Sequence, residues 1–447
     1  MPPRCGRAMA LAIGCSVLGI HAADAETLAQ ALASAYADNP TLNAQRASLR
    51  ATDEGVPQAL SGYRPTVAAA ASAGATDSRG TTFYPRGVSL TVTQPLFAGF
   101  RTLNGTKIAE AAVLAGREAL RNTEQTTLLA ATQAFMDLVE AQATLNLQKQ
   151  NVAFLSQQVK TAQDKLNVGT ATRTDLAMTS ASLAAGQASV DSAVAALNTA
   201  IAVYEQVIGH RPRALGAAKP IERLLSKSLN AALDDAMNYH PAVLAASYNV
   251  DVADFNVKVE EGALLPTVSL QGSVSDNEGS GSAGGNTASA VVSLNVPIFS
   301  GGALSSKVRQ AKETLDQERI QLDVARDQVR EQAISEWGVL DAARAQIVAA
   351  DSEVNAQNLV LSGVIEQQQV GQATTLDVLT AQQTLLSARV ALVTAQHNRV
   401  VASYTLLADI GRLDAETLGL SVTMYDPVEH YTQVRDKWGG LRTPDGR

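Results

Sequence analysis

The stretch VTQPLFAGF, residues 92–100, joins an alternating pattern to a segment of more than a hundred residues without proline. Apolar and polar side chains alternate up to Pro95, which is typical of a β-strand. The sequence that follows is rich in alanine, which favours helix. A similar stretch returns as LNVPIFSGG, residues 294–302. The sequence therefore predicts, at two places, a strand that passes directly into a long helix.

Other landmarks recur at the same interval, which indicates an internal duplication. The spacing is 201 residues at first and 202 later, so one residue is added between Pro266 and Pro297. The recurring pairs are Asn39-Pro40 with His240-Pro241, Pro95-Leu96-Phe97 with Pro297-Ile298-Phe299, Val168-Gly169 with Val370-Gly371, and Ile208-Gly209 with Ile410-Gly411.

Each half contains two predicted strands and two long helices. The long helices carry an apolar residue at every seventh position, for example Leu138, Leu145 and Val152, which predicts coiled-coil packing. The predicted first repeat is 26–210, with strands 66–76 and 87–97 and helices 101–167 and 173–209. The second is 229–411, with strands 267–275 and 288–299 and helices 303–369 and 375–411. A linker, 211–228, and a C-terminal equatorial tail, 412–447, complete the chain.

The long helices set the dimensions. A helix of 67 residues, such as 101–167, measures about 100 Å. The shorter segments 40–62 and 173–209, stacked end to end, nearly match it. Pro57 should kink the first of them, because proline lacks an amide hydrogen and crowds the preceding turn.

Composition excludes several classes of protein. The 447 residues are 46% hydrophobic but only 4% aromatic, and their net charge of −8 argues against nucleic-acid binding. The first 25 residues resemble a signal peptide that ends in Ala23-Asp24-Ala25. Both cysteines lie inside it, so the processed chain has no thiol; lipidation of Cys15 is the alternative.

No motif for catalysis or for a cofactor is visible. The five histidines are scattered, and the Gly-rich loop GSGSAGG lacks the lysine of a phosphate-binding loop. We therefore expect no enzyme activity, no metal site and no cofactor.

The strands suggest a membrane role. No run of about 18 apolar residues follows the signal peptide, so a membrane-spanning helix is not expected. Four strands cannot close a transmembrane barrel, which needs about eight, so two or three chains would have to share one. Phe97 and Phe299, at the strand ends, would be membrane-interface anchors. The alternative is a small soluble sheet that caps a coiled coil.

With these features the sequence resembles the TolC family of outer-membrane channels, over residues 26–430. The resemblance rests on the duplication, on QPLFAGF and VPIFSGG at the strand ends, and on VGTATRTDLA and VGQATTLDVLTAQQTLLSAR at the helical turns. The tail YDPVEHYTQVRDKWGGLRTP resembles the type I protein-secretion branch. The implied fold is mainly α with a β-barrel part: a homotrimer with a 12-stranded outer-membrane barrel continued by a periplasmic α-helical tunnel.

The resemblance also implies a function and partners. The chain would be the exit duct of a tripartite export system in a Gram-negative bacterium, carrying proteins or small toxic molecules. It would contact outer-membrane lipid, a periplasmic adaptor (membrane fusion) protein, and an inner-membrane ABC or other energised transporter. The alternative is a structural coiled-coil protein without a pore.

The resemblance places the channel entrance at the two helical turns. Gly169 and Gly371 mark these turns, and Asp175 and Asp377 follow six residues later. In a trimer each aspartate would form a ring of three carboxylates that draws in cations. The alternative is an aspartate that simply favours the positive end of its helix.

The turns depart from the family pattern at three positions. Thr380 stands where the family's best-known member has a second aspartate, Ala373 replaces its turn arginine, and Gln368 replaces a tyrosine. Arg173 is the candidate substitute for the missing arginine in the closed gate. Adaptor docking is expected at the exposed tips, at Val168, Gly169, Val370 and Gly371. The linker 210–220 and the tail are expected to form a belt around the tube.

Overall fold

The computed structural model describes residues 25–278 and 285–446. Except for Ala25, the predicted signal peptide with its two cysteines lies outside this part of the chain. So does most of the Gly-rich loop.

The described part of the chain is mainly helical, with long helices flanked by short ones. The helices are α1 (Leu28–Asp38), α2 (Pro40–Asp53), α3 (Gly55–Leu60), α4 (Arg101–Asn167), α5 (Arg173–Ile208), α6 (Leu229–Tyr239), α7 (Pro241–Gly262), α8 (Ala303–Gln369), α9 (Thr375–Asp409) and α10 (Glu429–Val434). The strands are β1 (Thr66–Ala73), β2 (Thr76–Ser78), β3 (Thr81–Phe83), β4 (Arg86–Ala98), β5 (Thr267–Glu278) and β6 (Gly285–Asn295).

At each junction, two consecutive residues with left-handed backbone redirect the chain from the strand segment into the long helix. Gly99 and Phe100 have φ angles of 63° and 60° before α4, and Gly301 and Gly302 have 62° and 85° before α8. Left-handed backbone is costly for a residue with a Cβ atom. Phe100 adopts it while packing edge-on against Phe97, with ring centroids 5.2 Å apart. The junction sequences FAGF and FSGG therefore encode the sharp turn from strand to helix.

Four strands form one antiparallel sheet in the order β1-β4-β5-β6, so the two strands of the first half lie beside the two of the second. Strands β1 and β6 lie at its edges, and among the described residues neither edge has a further strand partner. Every residue of β1 and of β6 is exposed, so the single chain covers neither face of the sheet.

Strand pairing sorts the side chains into two faces, because directly opposed residues point the same way and neighbours along a strand point opposite ways. The central part of one face is apolar, through Val67, Ala69, Leu90, Val92, Leu270, Val274, Ala290, Val292 and Leu294. The other is mostly polar, with Val291 as an exception, through Thr66, Ser89, Thr91, Thr93, Ser269, Gln271, Ser273, Ser289 and Ser293.

Strand ends differ from the predicted ones. Strand β6 stops at Asn295 rather than at 299, because Pro297 has no amide hydrogen for a ladder bond. Strand β1 stops at Ala73 rather than at 76. Residues beyond it form a separate two-stranded hairpin, β2 with β3, although their composition is typical of an exposed loop.

The predicted helix 40–62 is broken into α2 and α3. The break lies at Glu54, not at Pro57 itself. Proline cannot donate to the carbonyl four residues earlier and its ring crowds that group. The first helix therefore ends at Asp53, the residue whose carbonyl Pro57 would have bonded.

The main core lies halfway along the molecule. It joins α1, the middle of α4, the carboxyl ends of α5 and α9, and residues of the tail. Its largest fully buried side chains include Tyr204, Phe135, Leu32, Leu128 and Leu406. Helix α8 is different, since only eight of its 67 residues are buried. No helix within the described ranges combines the length and the apolar character that crossing a membrane requires.

The linker between the halves crosses the long helices at the level of this core. Its Ala214 accepts a hydrogen bond from the amide of Glu26 (2.6 Å), next to the first helix. Further along, Glu222 pairs with Arg399 of α9 (2.9 Å) and Arg344 of α8 (3.3 Å). Hydrogen bonds from these two arginines lower the pKa of the Glu222 carboxyl. The linker thus contacts the chain just before α1, as well as α8 and α9.

The tail does not follow the predicted belt. It starts at the main core and then runs lengthwise along α4 toward the sheet, passing an α4 residue at every seventh position. The contacts pair Ala415 with Glu124, Tyr431 with Arg117, and Arg435 with Glu110. A hydrogen bond, a cation–π contact and an ion pair along α4 set this path, so the last part of the tail does not take the predicted equatorial course.

Candidate functional site at the helical turns

Both long hairpins turn through the same backbone motif. In the first, Gly169 N–H donates to Leu166 (3.0 Å) and Thr170 N–H donates to Lys165 (2.8 Å). In the second, Gly371 and Gln372 donate to the corresponding carbonyls, at 3.2 and 2.8 Å. This pair of bonds is the Schellman motif, which needs a left-handed residue. The glycines supply it, with φ angles of 81° and 78°.

The two predicted entrance aspartates hold the start of the next helix in each hairpin. Asp175 Oδ2 accepts from the amide of Thr172 (3.0 Å) and from its hydroxyl (2.7 Å). Asp377 Oδ2 accepts the same two bonds from Thr374, both at 2.7 Å. Each threonine hydroxyl in turn accepts from the aspartate amide, which completes a capping box. The alternative role considered above, a helix-end residue, is therefore present at both positions.

These hydrogen bonds keep both aspartates negatively charged. The bond from the Thr172 side chain, followed by that from its amide, lowers the pKa of the Asp175 carboxyl. The corresponding bonds from Thr374 lower the pKa of Asp377, whose side chain is exposed. A smaller contribution to Asp175 comes from Thr375 of the other hairpin, so the two tips lie side by side.

The other predicted residues surround these caps. Gln368 donates to the hydroxyl of Thr375 at 3.4 Å, across its own turn. Ala373 lies within that turn, half-buried. Arg173 is the exposed first residue of α5 and makes no ion pair among the described residues. Val168 and Val370 are 74% and 71% exposed, so each tip presents one apolar side chain to solvent.

A groove separates the two hairpins just behind the tips. Asn151 of α4 and Gln382 of α9 bridge it with a buried hydrogen bond of 3.0 Å. Next to this bridge lies a cavity of about 530 Å³, whose lining includes Met178, Leu376 and the predicted Thr380. The bridge could not be found from sequence, since its residues stand 231 positions apart.

A cavity of about 340 Å³ lies near the main core, between α4, α7, α8 and α9. Asp409 lines it, with a buried Oδ2 atom that has no hydrogen-bond partner among the described residues. Burial, reinforced by Glu336 and Glu331, raises the pKa of Asp409 to about 7. His240 lines the same cavity; burial lowers its pKa to about 4, and its neutral Nδ1 accepts from the amide of Ala242.

One group of side chains in the described residues could hold a metal ion. His397 Nε2 lies 2.7 Å from Asp137 Oδ1, and its Nδ1 lies 3.8 Å from Glu140 Oε2. The three residues offer ligand atoms within 4.8 Å of one another. One imidazole and two carboxylates suit Zn²⁺, and the same contacts suit a protonated imidazole. The sequence predicted no metal site, and in it His397 stands apart from any other metal-ligating residue.

The predicted membrane anchors stand at the sheet end nearest the long helices. Phe97 is half-buried, on β4, and lines a small apolar cavity with Phe100 and Tyr63. Phe299 lies beyond the end of β6 and is 87% exposed, next to the 93% exposed Ile298. The two phenylalanines therefore differ in burial, although the sequence places them at equivalent positions.

Comparisons with known proteins agree with this architecture. The Outer membrane efflux protein family matches the chain twice, over residues 31–210 and 232–412. The outer membrane efflux protein BepC of Brucella suis is 44% identical over 98% of this chain and 97% of its own. TolC of Salmonella enteritidis is 25% identical over 93% of this chain and 88% of its own.

A further relative and a solved structure are also similar. The alkaline protease secretion protein AprF of Pseudomonas aeruginosa is 26% identical over 78% of this chain and 74% of its own. The crystal structure of CusC, a transmembrane channel, superposes with a TM-score of 0.77 over 86% of this chain and 92% of its own, at 16% identity. The chain therefore belongs to the outer membrane efflux protein family, and it is an exit channel of the outer membrane with a large periplasmic part.

Proposed function

We propose that three copies of this chain form a passive duct through which an inner-membrane transporter exports its cargo. The observation that carries the proposal is the four-stranded sheet. It has two free edges, one apolar face and one polar face, and it continues into helices about 100 Å long. A lipid-facing surface and a water-filled lumen would cover the two faces that the single chain leaves exposed.

The strand order supports closure by identical copies. The sheet holds an even number of alternating strands, so β6 of one copy can pair antiparallel with β1 of the next. Two copies would give about eight strands and three about twelve, both sizes known for transmembrane barrels. The family resemblance favours three. Phe97 and Phe299 are then proposed anchors at the periplasmic membrane interface.

The two halves are proposed to derive from one duplicated unit. The element order of two strands, a long helix and a shorter helix recurs after the linker. The double match to one family supports the same view, with repeats near 26–210 and 229–411, the linker 211–228 and the tail 412–447.

The helical tips are the proposed meeting point with other proteins. Val168, Gly169, Val370 and Gly371 lie exposed at the two turns, where an adaptor protein can dock. An ABC or other energised transporter would supply the driving force. BepC is named an efflux protein and AprF a protease secretion protein, so small toxic molecules and proteins are both proposed cargo.

The proposed entrance combines the two aspartate caps. In a trimer Asp377, and with it Asp175, would form rings of three negative charges that favour cations. Thr380, behind the tip, adds no second ring, so polyvalent cations should bind only weakly. Arg173, which has no ion-pair partner within the described chain, is the proposed closing contact between copies, with Gln368 and Ala373 completing the second turn.

Single-channel recording in a planar bilayer tests the proposal. We expect discrete cation-selective steps from the unmodified protein. Asp377→Asn removes the charge and retains a carboxamide oxygen for the cap, so it should lower cation selectivity without unfolding the tip. Ser182→Ala, further from the turn, is the control and should leave selectivity unchanged.

Two other outcomes are informative. Steps with unchanged selectivity in the Asp377→Asn protein would leave a channel but reduce Asp377 to a helix cap. No steps from any variant, together with solubility in plain buffer, would favour a structural coiled coil instead of a channel.

A further inference from the structure

One segment of the tail, 437–442, lies at the base of the sheet. Arg64 holds it there in two ways. Its Nη1 donates to the carbonyl of Lys437 at 2.8 Å, and its guanidinium carbon lies 4.8 Å from the centroid of a Trp438 ring. Lys437 Nζ also donates to the carbonyl of Arg442 at 2.7 Å, which folds the segment back on itself.

The register of the sheet fixes the level of this segment. Arg64 comes two residues before Thr66, the first residue of β1, and Thr66 lies opposite Thr93 of β4. Arg64 is therefore level with the residues just past Thr93, close to Phe97 on the same strand. If the sheet spans the membrane, Trp438 lies where the barrel meets the periplasm.

The exposed side chains of the segment suit that level. Trp438 is 73% exposed and Leu441 is fully exposed, although neither lies in the apolar face of the sheet. Tryptophan is enriched at membrane interfaces, since its ring is apolar and its N–H can reach water or headgroups. Arg64, Lys437 and Arg442 add three positive charges, against the nearby Asp436, and such clusters attract anionic headgroups.

We infer that segment 437–442 is an interfacial anchor that lies against the phospholipid headgroups on the periplasmic side of the outer membrane. Trp438 and Leu441 enter the interface, and the three cations contact phosphate groups. The inference rests on the proposed barrel, since only a sheet within the membrane brings the segment to lipid. It also gives a role to the lengthwise path of the tail, which carries Trp438 from the main core to the sheet.

Tryptophan fluorescence tests this inference, because the chain has only two tryptophans, Trp337 and Trp438. Trp337→Phe leaves Trp438 as the reporter, and Trp438→Phe leaves Trp337. Each protein is inserted into phosphatidylcholine and phosphatidylglycerol vesicles that carry a nitroxide either near the headgroup or near the acyl-chain end. We expect Trp438 fluorescence to be quenched more by the shallow nitroxide than by the deep one.

Trp337 is the internal control. It lies on α8, 34 residues after Ala303, or about 50 Å from the sheet. Neither nitroxide should quench it. Equal quenching of Trp337 and Trp438 would show that collisions are unspecific and would overturn the inference.

A third reporter separates this inference from the proposed function. Val274→Trp, in a protein that carries both phenylalanine replacements, places tryptophan on the apolar face of β5, opposite Leu90 in the middle of the sheet, where the deep nitroxide should quench it. Quenching at position 274 without quenching of Trp438 would overturn the anchor and leave the barrel intact. Absence of quenching at both positions would contradict the barrel, and the anchor would fail with it.

Discussion

Single residues at the helical turns carry out two tasks at once. Thr374 and Asp377 begin α9 through their capping box and leave one negative charge at the tip. The pattern Thr-x-x-Asp can be read directly from the sequence, and it would have predicted the cap as well as the charge. The side chains around His397 could not be found in this way, because they meet only when α9 packs against α4.

The glycine in the second turn is required for its backbone and not for space. Gly371 has a φ angle of 78°, and a Cβ atom added to it would have no atom within 4 Å. Gly371→Ala should therefore cost only the strain of a left-handed backbone, about 1–2 kcal/mol of stability. Gly338→Ala, in the middle of α8 and equally unobstructed, should stabilise by up to about 1 kcal/mol. Denaturant unfolding followed by circular dichroism measures both. If both substitutions shifted the unfolding midpoint in the same direction, this account would be contradicted.

Asp409 should make stability depend on pH. Because burial raises its folded pKa to about 7, the folded chain binds this proton more tightly than the unfolded chain. The stabilisation that this proton provides is complete below about pH 4, which is the pKa of an aspartate in the unfolded chain. It is lost as the pH rises through about 7. The loss should amount to a few kcal/mol, on the scale of about 1.4 kcal/mol per unit of pKa.

Melting temperatures measured between acidic and mildly alkaline pH test this effect. Asp409→Asn should flatten the decline in melting temperature, since the carboxamide has no proton to lose and stays neutral. Asp191→Asn, on the exposed face of α5, is the control and should decline like the unmodified protein. An equally steep decline in the Asp409→Asn protein would assign the pH dependence to other groups, Glu336 first among them.

At the scale of elements, the strand-to-helix junction is a close backbone contact between the two halves. A Cβ atom on Gly262, at the end of α7, would lie 2.2 Å from the carbonyl oxygen of Gly99. Gly262→Ala should therefore force the backbones apart and cost about 1–3 kcal/mol, the usual range for overpacking.

Gly55→Ala provides the matched comparison. Gly55 begins α3 and has no atom within 4 Å of its added Cβ, so this change should be neutral or slightly stabilising. Thermal unfolding in detergent would distinguish the two. A Gly262→Ala protein as stable as the Gly55→Ala protein would show that the junction can yield without cost.

The sequence predicts some elements better than others, for physical reasons. Apolar residues repeat strictly along the long helices, and glycine ends each one, so α4 and α8 could be bounded closely from sequence. The predicted strand β6 extends too far, because Ile298 and Phe299 continue the apolar alternation while Pro297 interrupts the hydrogen bonds. The hairpin of β2 and β3 is short and polar, and it resembles a loop in composition.

The route of the tail could not be predicted. Its direction depends on pairs such as Arg435 with Glu110, which are 325 residues apart and half-exposed. No periodic pattern in the tail indicates a partner. The linker near Glu222 contacts both α8 and α9 through its two arginine partners, whereas the segment that ends at Trp438 runs along α4.

At the scale of the whole molecule, the single chain leaves large surfaces uncovered. Within the described ranges, the two edge strands of the sheet have no further strand partner and all their residues are exposed, and α8 buries few side chains. Alternation along the strands was enough to predict a membrane wall, and the observed pairing aligns that alternation across all four strands. The number of copies could not come from the residues alone, since eight or twelve strands would both close a barrel.

Native mass spectrometry of the detergent-extracted protein, with the detergent removed in the gas phase, tests the central claim most directly. Both cysteines lie in the predicted signal peptide, so once it is removed no adventitious disulfide can create the assembly. We predict one species that contains three chains, stable until the sheet is unfolded. A folded species of one chain, or of two, would contradict the twelve-stranded barrel and the account of function built on it.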